Sequence, residues 1–164
     1  AAVGEGGRVA FLQSNLEGVS VMVAEALDPK PAWRLLVHGQ PGPTPLHAAA
    51  AVFRGDYVYV IGSPQSQVWR VNTAEERGRW ECMTTQAEWE PRHSHAVCAL
   101  SDGTLALSGG ENSRVEYNDL WLSRDEGATW ERQPQPPWRT RYDHVMLESG
   151  GKLWVVGGRH RHEE

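Results

Sequence analysis

Apolar residues along this chain come in short alternating runs, and each run stops at Gly, Pro, Asn or Asp. That is the pattern of β-strands joined by tight turns. No segment holds the period of an amphipathic helix. The stretches "GRVAFL", "GDYVYVIG", "GTLALSGG" and "GKLWVVGG" begin at Gly7, Gly55, Gly103 and Gly151, 48 residues apart each time. Other landmarks keep step. His47, His95 and His144 precede apolar runs at spacings of 48 and 49, and Trp33, Trp80 and Trp130 follow at 47 and 50. One unit of about 48 residues is therefore repeated.

The third unit shows what the unit is. Strands are expected at "HAVCALS", "GTLALSG", "NDLWLSR" and "TWERQPQ", which makes a four-stranded antiparallel sheet. A sheet of this size cannot bury both faces alone, so copies must stack around an axis as propeller blades do. The pattern predicts an all-β chain, a partial β-propeller of four-stranded antiparallel blades. Its units are residues 1–43 (a partial blade), 44–91 and 92–139 (blades) and 140–164 (a half blade). The chain is expected to enter at a second strand, residues 8–13, and to spell three and a half blades at most. Two outcomes follow from open strand edges and apolar faces. Either the chain is a piece of a longer propeller, or two copies join across a two-fold axis into a homo-oligomer. In the second case the second to fourth strands at one N-terminus complete the partner's C-terminal pair.

The motif set "PRHSH" (residues 91–95), "DGTLALSGG", "NDLW" (118–121) and Trp130 resembles a kelch repeat, whose hallmarks are a diglycine after the second strand and a spaced aromatic pair. The fourth unit repeats it with "TRYDH" and "GKLWVVGG", while the second has Gly62-Ser63 where the diglycine belongs. The resemblance implies a kelch propeller that binds partners on one loop face. Separately, "SRDEGATW" resembles the Asp-box, S-x-D-x-G-x-x-W, of sialidases and other propellers, with Ser123, Asp125, Gly127 and Trp130 at the motif positions. That resemblance puts the box at the hairpin between third and fourth strands, away from catalysis. Asp125 is expected to accept backbone N–H groups, Gly127 to take a positive φ and Trp130 to pack beneath.

Composition narrows the function. With 40% apolar and 23% charged residues the chain is globular. A formal charge of −5 gives no basic balance toward nucleic acid or an anionic membrane, although 14 of its 16 cations are arginine, so a positive site must be local. No apolar run approaches the ~20 residues of a membrane span, and no signal peptide is visible, which predicts a cytoplasmic protein. Cys82 and Cys98 have neither disulfide-scaffold nor zinc spacing. There is no G-x-S-x-G elbow and no cysteine beside a histidine. Glu111 or Glu116 near Arg114 could do acid-base work on a sugar acid, or be a solvated loop. His160, His162, Glu163 and Glu164 invite a metal, but they form a terminal tail, and no metal or cofactor is expected.

Up-and-down strands sort the loops onto two faces. One collects residues 88–94, 110–117, 136–143 and 159–164, carrying Trp89, Arg92, Arg114, Trp138, Arg139, Arg141, Tyr142 and Arg159. Arginine forks and rigid aromatic area suit carboxylates and acidic peptides. Arg92 and Arg141, like Trp89 and Trp138, recur in successive units, so blade packing competes with binding there. The expected function is a non-catalytic module that recognises a protein partner or acidic ligand through this face. A sugar-acid-binding or sialate-processing propeller and a structural self-assembling subunit remain as alternatives.

Overall fold

The computed structural model describes residues 2–3, 7–15, 18–25, 30, 32–40, 42–43, 49–62 and 65–161. The described residues contain no α-helix, and no helix is long and apolar enough to cross a membrane. The strands form three four-stranded antiparallel sheets and a hairpin, each in chain order. The first sheet is β1 (Ala2–Val3), β2 (Arg8–Asn15), β3 (Gly18–Glu25) and β4 (Arg34–Gln40). The second is β5 (Ala50–Arg54), β6 (Tyr57–Ile61), β7 (Val68–Asn72) and β8 (Trp80–Thr84). The third is β9 (Ala96–Ala99), β10 (Leu105–Ser108), β11 (Leu120–Ser123) and β12 (Glu131–Arg132), and the hairpin is β13 (Tyr142–Ser149) with β14 (Lys152–Arg159).

The first strands β1, β5, β9 and β13 succeed one another in contact, and the sheets pack face to face around them. Each interface has its own apolar core. Ala10, Val19, Val21 and Val23 meet Phe53, Val58, Val60 and Val71 in the first. Tyr59, Ile61 and Val68 meet Leu105, Leu107, Trp89 and Trp130 in the second. Ala96, Cys98 and Ala106 meet Met146, with Leu153 and Val155 packed on them, in the third. A strand such as β10, Leu-Ala-Leu-Ser, is buried at every residue because it has a neighbour on both faces.

Two sequence expectations are corrected. The first sheet does not begin at a second strand: Ala2 and Val3 pair with Ala10 and Val9, so it already holds four strands. This removes the premise of the two-fold scheme, in which an N-terminal set lacking its first strand would complete the partner's pair. The equivalence of second strands is also shifted by one. Constant spacing equates Tyr59 with Leu107, yet Val58 and Val60 face the preceding sheet, as Leu105 and Leu107 do, while Tyr59 faces the following sheet with Ala106's orientation. The hairpins absorb the residue, because Arg54 and Tyr57 flank a two-residue turn whereas Ala99 and Leu105 flank a longer one. A one-residue slip exchanges the two faces of a strand.

The glycines after β6 and β10 have a packing reason. A Cβ on Gly62 would lie 2.4 Å from the His95 ring, and one on Gly109 would lie 2.7 Å from the His144 ring. In each case the histidine of the next sheet lies against bare backbone, which a side chain would forbid.

The two ends of the stack leave apolar faces open. Val145, Leu147, Trp154 and Val156 on the hairpin are 41 to 58% exposed, and Phe11, Trp33 and Leu35 of the first unit are 46 to 53% exposed. By strand pairing, Val145, Leu147, Trp154 and Val156 are the counterparts of Ala96, Cys98, Ala106 and Ser108, all buried in the third sheet.

Candidate binding face

Backbone hydrogen bonds knit the predicted loops into one surface. His93 and Glu111 exchange N–H···O bonds of 2.8 and 2.9 Å, Gly110 donates to Arg141 at 2.8 Å, Arg141 to Tyr117 at 3.1 Å, and Asp143 to Ser94 at 2.9 Å. Loops from the third sheet and from the hairpin are thus held in fixed relation.

Arg92 does not reach this surface. Its side chain is 1% exposed and clasps Asp119 with two parallel bonds, Nη1 to Oδ1 at 2.6 Å and Nη2 to Oδ2 at 2.9 Å. Its Nε donates to the Glu90 carbonyl and Nη1 also to the Gly109 carbonyl, both at 3.1 Å. The Tyr117 ring covers the guanidinium at 3.7 Å, and Trp121 Nε1 donates to Asp119 Oδ2 at 2.8 Å. A buried cation survives only with such complete pairing. Trp89 is interior as well, 2% exposed and edge-on to Trp130 at 4.5 Å and to Trp121 at 6.4 Å. Of the proposed contact residues, these two are blade-packing groups.

The remaining residues do approach the surface. Arg114 and Arg139 are exposed, and neither side chain makes a hydrogen bond or ion pair with the described residues. Arg159 is 75% exposed, with Asp143 at 3.9 Å. Tyr142 and Trp138 are half-buried, and the Trp138 indole N–H has no acceptor among the described residues. Arg141, half-buried, donates Nη1 to the Gly157 carbonyl at 2.7 Å and Nε to the Arg139 carbonyl at 3.4 Å.

Arg161 was not foreseen. Its guanidinium pairs with Glu111 and lies 3.5 Å from Glu116, while its N–H donates to Glu116 at 2.7 Å. Both glutamates considered for acid-base work are therefore engaged by one arginine, and Thr140 also donates to Glu116 at 3.2 Å. The sequence signal was weak, because the pair lies 50 residues apart in the chain.

The turn at residues 123–130 sits among the hairpins of the opposite face. Ser123 Oγ donates to Asp125 at 2.9 Å and accepts from the Gly127 N–H at 2.8 Å. Asp125 also accepts from the Thr129 N–H and hydroxyl at 2.9 and 2.6 Å. Slight burial opposes ionisation of Asp125, but the Thr129 and Ser123 bonds hold its carboxyl below the usual range. Glu126 and Gly127 take φ of 64° and 87°, and Trp130 Nε1 closes onto the Gly127 carbonyl at 3.2 Å. Glu126 reaches back to the second sheet, pairing with Arg54 at 2.9 Å and with Arg70. We expect Asp125→Ala to lower stability by about 1–2 kcal/mol through lost turn bonds. In urea titration, an unchanged midpoint would contradict this role.

A cavity of about 460 Å³ lies along the first strands, lined by Ala50, Ala51, Ala96, Val145, His95 and His144 among others. Burial lowers both histidines to a pKa of about 4. His95 Nε2 meets the Ile61 carbonyl at 3.0 Å, and neither His144 nitrogen has a partner among the described residues. Among the described residues no cluster of His, Cys, Asp or Glu could hold a metal ion. His47, His162, Glu163 and Glu164 lie outside the described residues.

Four-stranded antiparallel sheets that succeed one another around their first strands, without closing, define this chain as a partial β-propeller. No family model matches it. It is 27% identical over 156 residues to the Arabidopsis thaliana serine/threonine-protein phosphatase BSL2, covering 88% of this chain and 15% of that protein. It is 32% identical over 83 residues to mouse (Mus musculus) Kelch domain-containing protein 2, covering 48% of this chain and 20% of that protein. Among solved structures it resembles YjhT, with a TM-score of 0.61 and 24% identity over 71% of this chain and 35% of that one. The chain thus spans a fifth or less of these two curated relatives. Together they support a propeller of the kelch type.

Proposed function

We propose that this propeller segment is a binding module whose loop face takes an acidic protein partner through Arg114, Arg139 and Arg159, with Trp138 and Tyr142 supplying adjoining aromatic area. One contrast carries the reading. Arg92 and Arg161, on neighbouring loops of the same set, are each matched to carboxylates, whereas Arg114 and Arg139 are exposed and unmatched among the described residues. Unmatched guanidinium groups on fixed loops offer bidentate donors to a ligand's carboxylates at little ordering cost. The opposite turn is read as a structural Asp-box that braces the third sheet. Kelch-type relatives are consistent with a binding role.

A polyglutamate peptide is the probe for this face. Arg114→Ala combined with Arg139→Ala should weaken its binding by about tenfold and flatten its salt dependence, since both charges sit on loops of the same face. Equal affinity in a double variant that still folds would move the site elsewhere. Competition by N-acetylneuraminate would redirect the same arginines to a sugar acid.

A further inference from the structure

The turn that closes the third sheet carries one side chain that its own hydrogen bonds do not use. Ser123, Asp125, Gly127, Thr129 and Trp130 close the turn among themselves. The Glu126 side chain leaves it, 45% exposed, and bridges two arginines of the second sheet. Its Oε1 accepts from Arg54 Nη1 at 2.9 Å, and its Oε2 accepts from Arg70 Nη1.

Both arginines have other holds. Arg54, the last residue of β5, donates Nε to the Gly103 carbonyl. Arg70, in the middle of β7, donates Nε to Glu81 at 2.7 Å and Nη1 to the Tyr59 hydroxyl at 3.4 Å, and it lies over the Tyr57 ring at 4.4 Å. All these groups belong to the second and third sheets, which hold four strands each and pack on one another. One carboxylate thus serves two forks, taking a single bond from each, whereas Asp119 fills the fork of Arg92 with both its oxygens. A phosphomonoester brings a third terminal oxygen and close to a second negative charge, and so matches two convergent forks better than one carboxylate does.

We propose that Arg54 and Arg70 form a site for a phosphomonoester, with Glu126 as its resident stand-in. Moving Glu126 away needs only side-chain rotation, because other residues close the turn, and it leaves the two guanidinium groups facing Glu81 alone. Phosphoryl oxygens then take the places of Oε1 and Oε2, and the remaining oxygen lets each arginine donate twice. The site is on the face opposite the loop arginines. It goes beyond the acidic-partner reading and does not rest on it.

Inorganic phosphate is the first probe, titrated into the whole chain at pH 7.5 and constant ionic strength and followed by calorimetry. We expect weak binding to the parent protein and about tenfold tighter binding to Glu126→Gln, where the stand-in no longer competes. Adding Arg70→Lys to Glu126→Gln keeps the charge but removes the fork, and should return affinity to the parent's level. Arg114→Ala with Arg139→Ala should leave phosphate binding unchanged, which separates this result from the loop-face experiment. A phosphoserine peptide and ribose 5-phosphate, each set against its unphosphorylated form, then tell whether a protein or a small metabolite carries the phosphate. The deciding contrast is between the parent and Glu126→Gln, so a folding defect in the Arg70 variant cannot mask it. A mere ion brace between sheets gives another pattern, in which Glu126→Gln lowers the denaturation midpoint and gains no affinity for phosphate. That pattern, or equal affinity in the two proteins, overturns the proposal.

Discussion

Replacing Asp119 with alanine will cost about 3–5 kcal/mol of folding stability, because a guanidinium that is 1% exposed loses its counter-charge and two parallel bonds. The two backbone carbonyls that also accept from Arg92 carry only partial charge and do not neutralise it. The change also strips the Trp121 indole of its acceptor and loosens the link from β11 to the loop. Arg92→Met together with Asp119→Leu should recover much of the loss, since removing both charges removes the burial penalty. Chemical denaturation of the three proteins measures this. A single-variant loss below about 1 kcal/mol would mean that the ion pair is dispensable to the third sheet.

The second large effect is a loss of stability in mild acid. His95 is fully enclosed, and burial holds it neutral to a pKa of about 4, with Arg92, His144 and His93 adding repulsion, against 6.5 when unfolded. Above pH 6.5 neither state takes up the proton and stability is level. As pH falls from 6.5 toward 4 the unfolded chain gains a proton that the folded one refuses, and stability drops by about 1.4 kcal/mol per pH unit, about 3 kcal/mol in all. Below pH 4 this contribution is flat. His144 shifts in the same direction and deepens the loss over the same window. Asp102, Asp125 and Glu126 are lowered from ordinary carboxyl values, so their losses come at more acid pH. Denaturation midpoints at pH 7 and pH 5.5 therefore report chiefly on the histidines, and His95→Gln should shrink the difference. Equal midpoints in the parent protein would show that both rings take up protons within the fold.

Strands, turns and stacking were legible because they are written locally: short apolar runs mark the strands from β5 to β14 other than the two-residue β12, and the turn residues separate them. The two residues of β1 carried no such signal, since Ala2 and Val3 are too few to alternate. The constant period misled at the second sheet because a hairpin can absorb one residue without disturbing the strands, while facing direction changes with every residue. For the site, a recurring arginine in a loop looks the same whether it greets solvent or a buried carboxylate. What distinguishes Arg92 is Asp119, 27 residues away, brought to it by the pairing of β9, β10 and β11. The "NDLW" motif contained that aspartate, and asking what a buried cation in the repeat would need could have found it. Glu126 and Arg161 work across sheets, over 56 and 50 residues, and local pattern cannot reach that far.

Bulk alternates across the third interface. The third sheet offers Ala96, Cys98 and Ala106 to the hairpin, which answers with Met146, Leu153 and Val155. On its far side the hairpin carries Val145, Leu147 and Trp154 where the third sheet has those small residues. Units of one design have therefore ceased to be interchangeable. A chimera with the hairpin moved into the place of β9 and β10 would press Trp154 into space shaped for a methyl group. Each unit in effect carries an address, stated in side-chain volume, for the neighbour it accepts, and the order of the stack is kept by fit as well as by the chain that strings it.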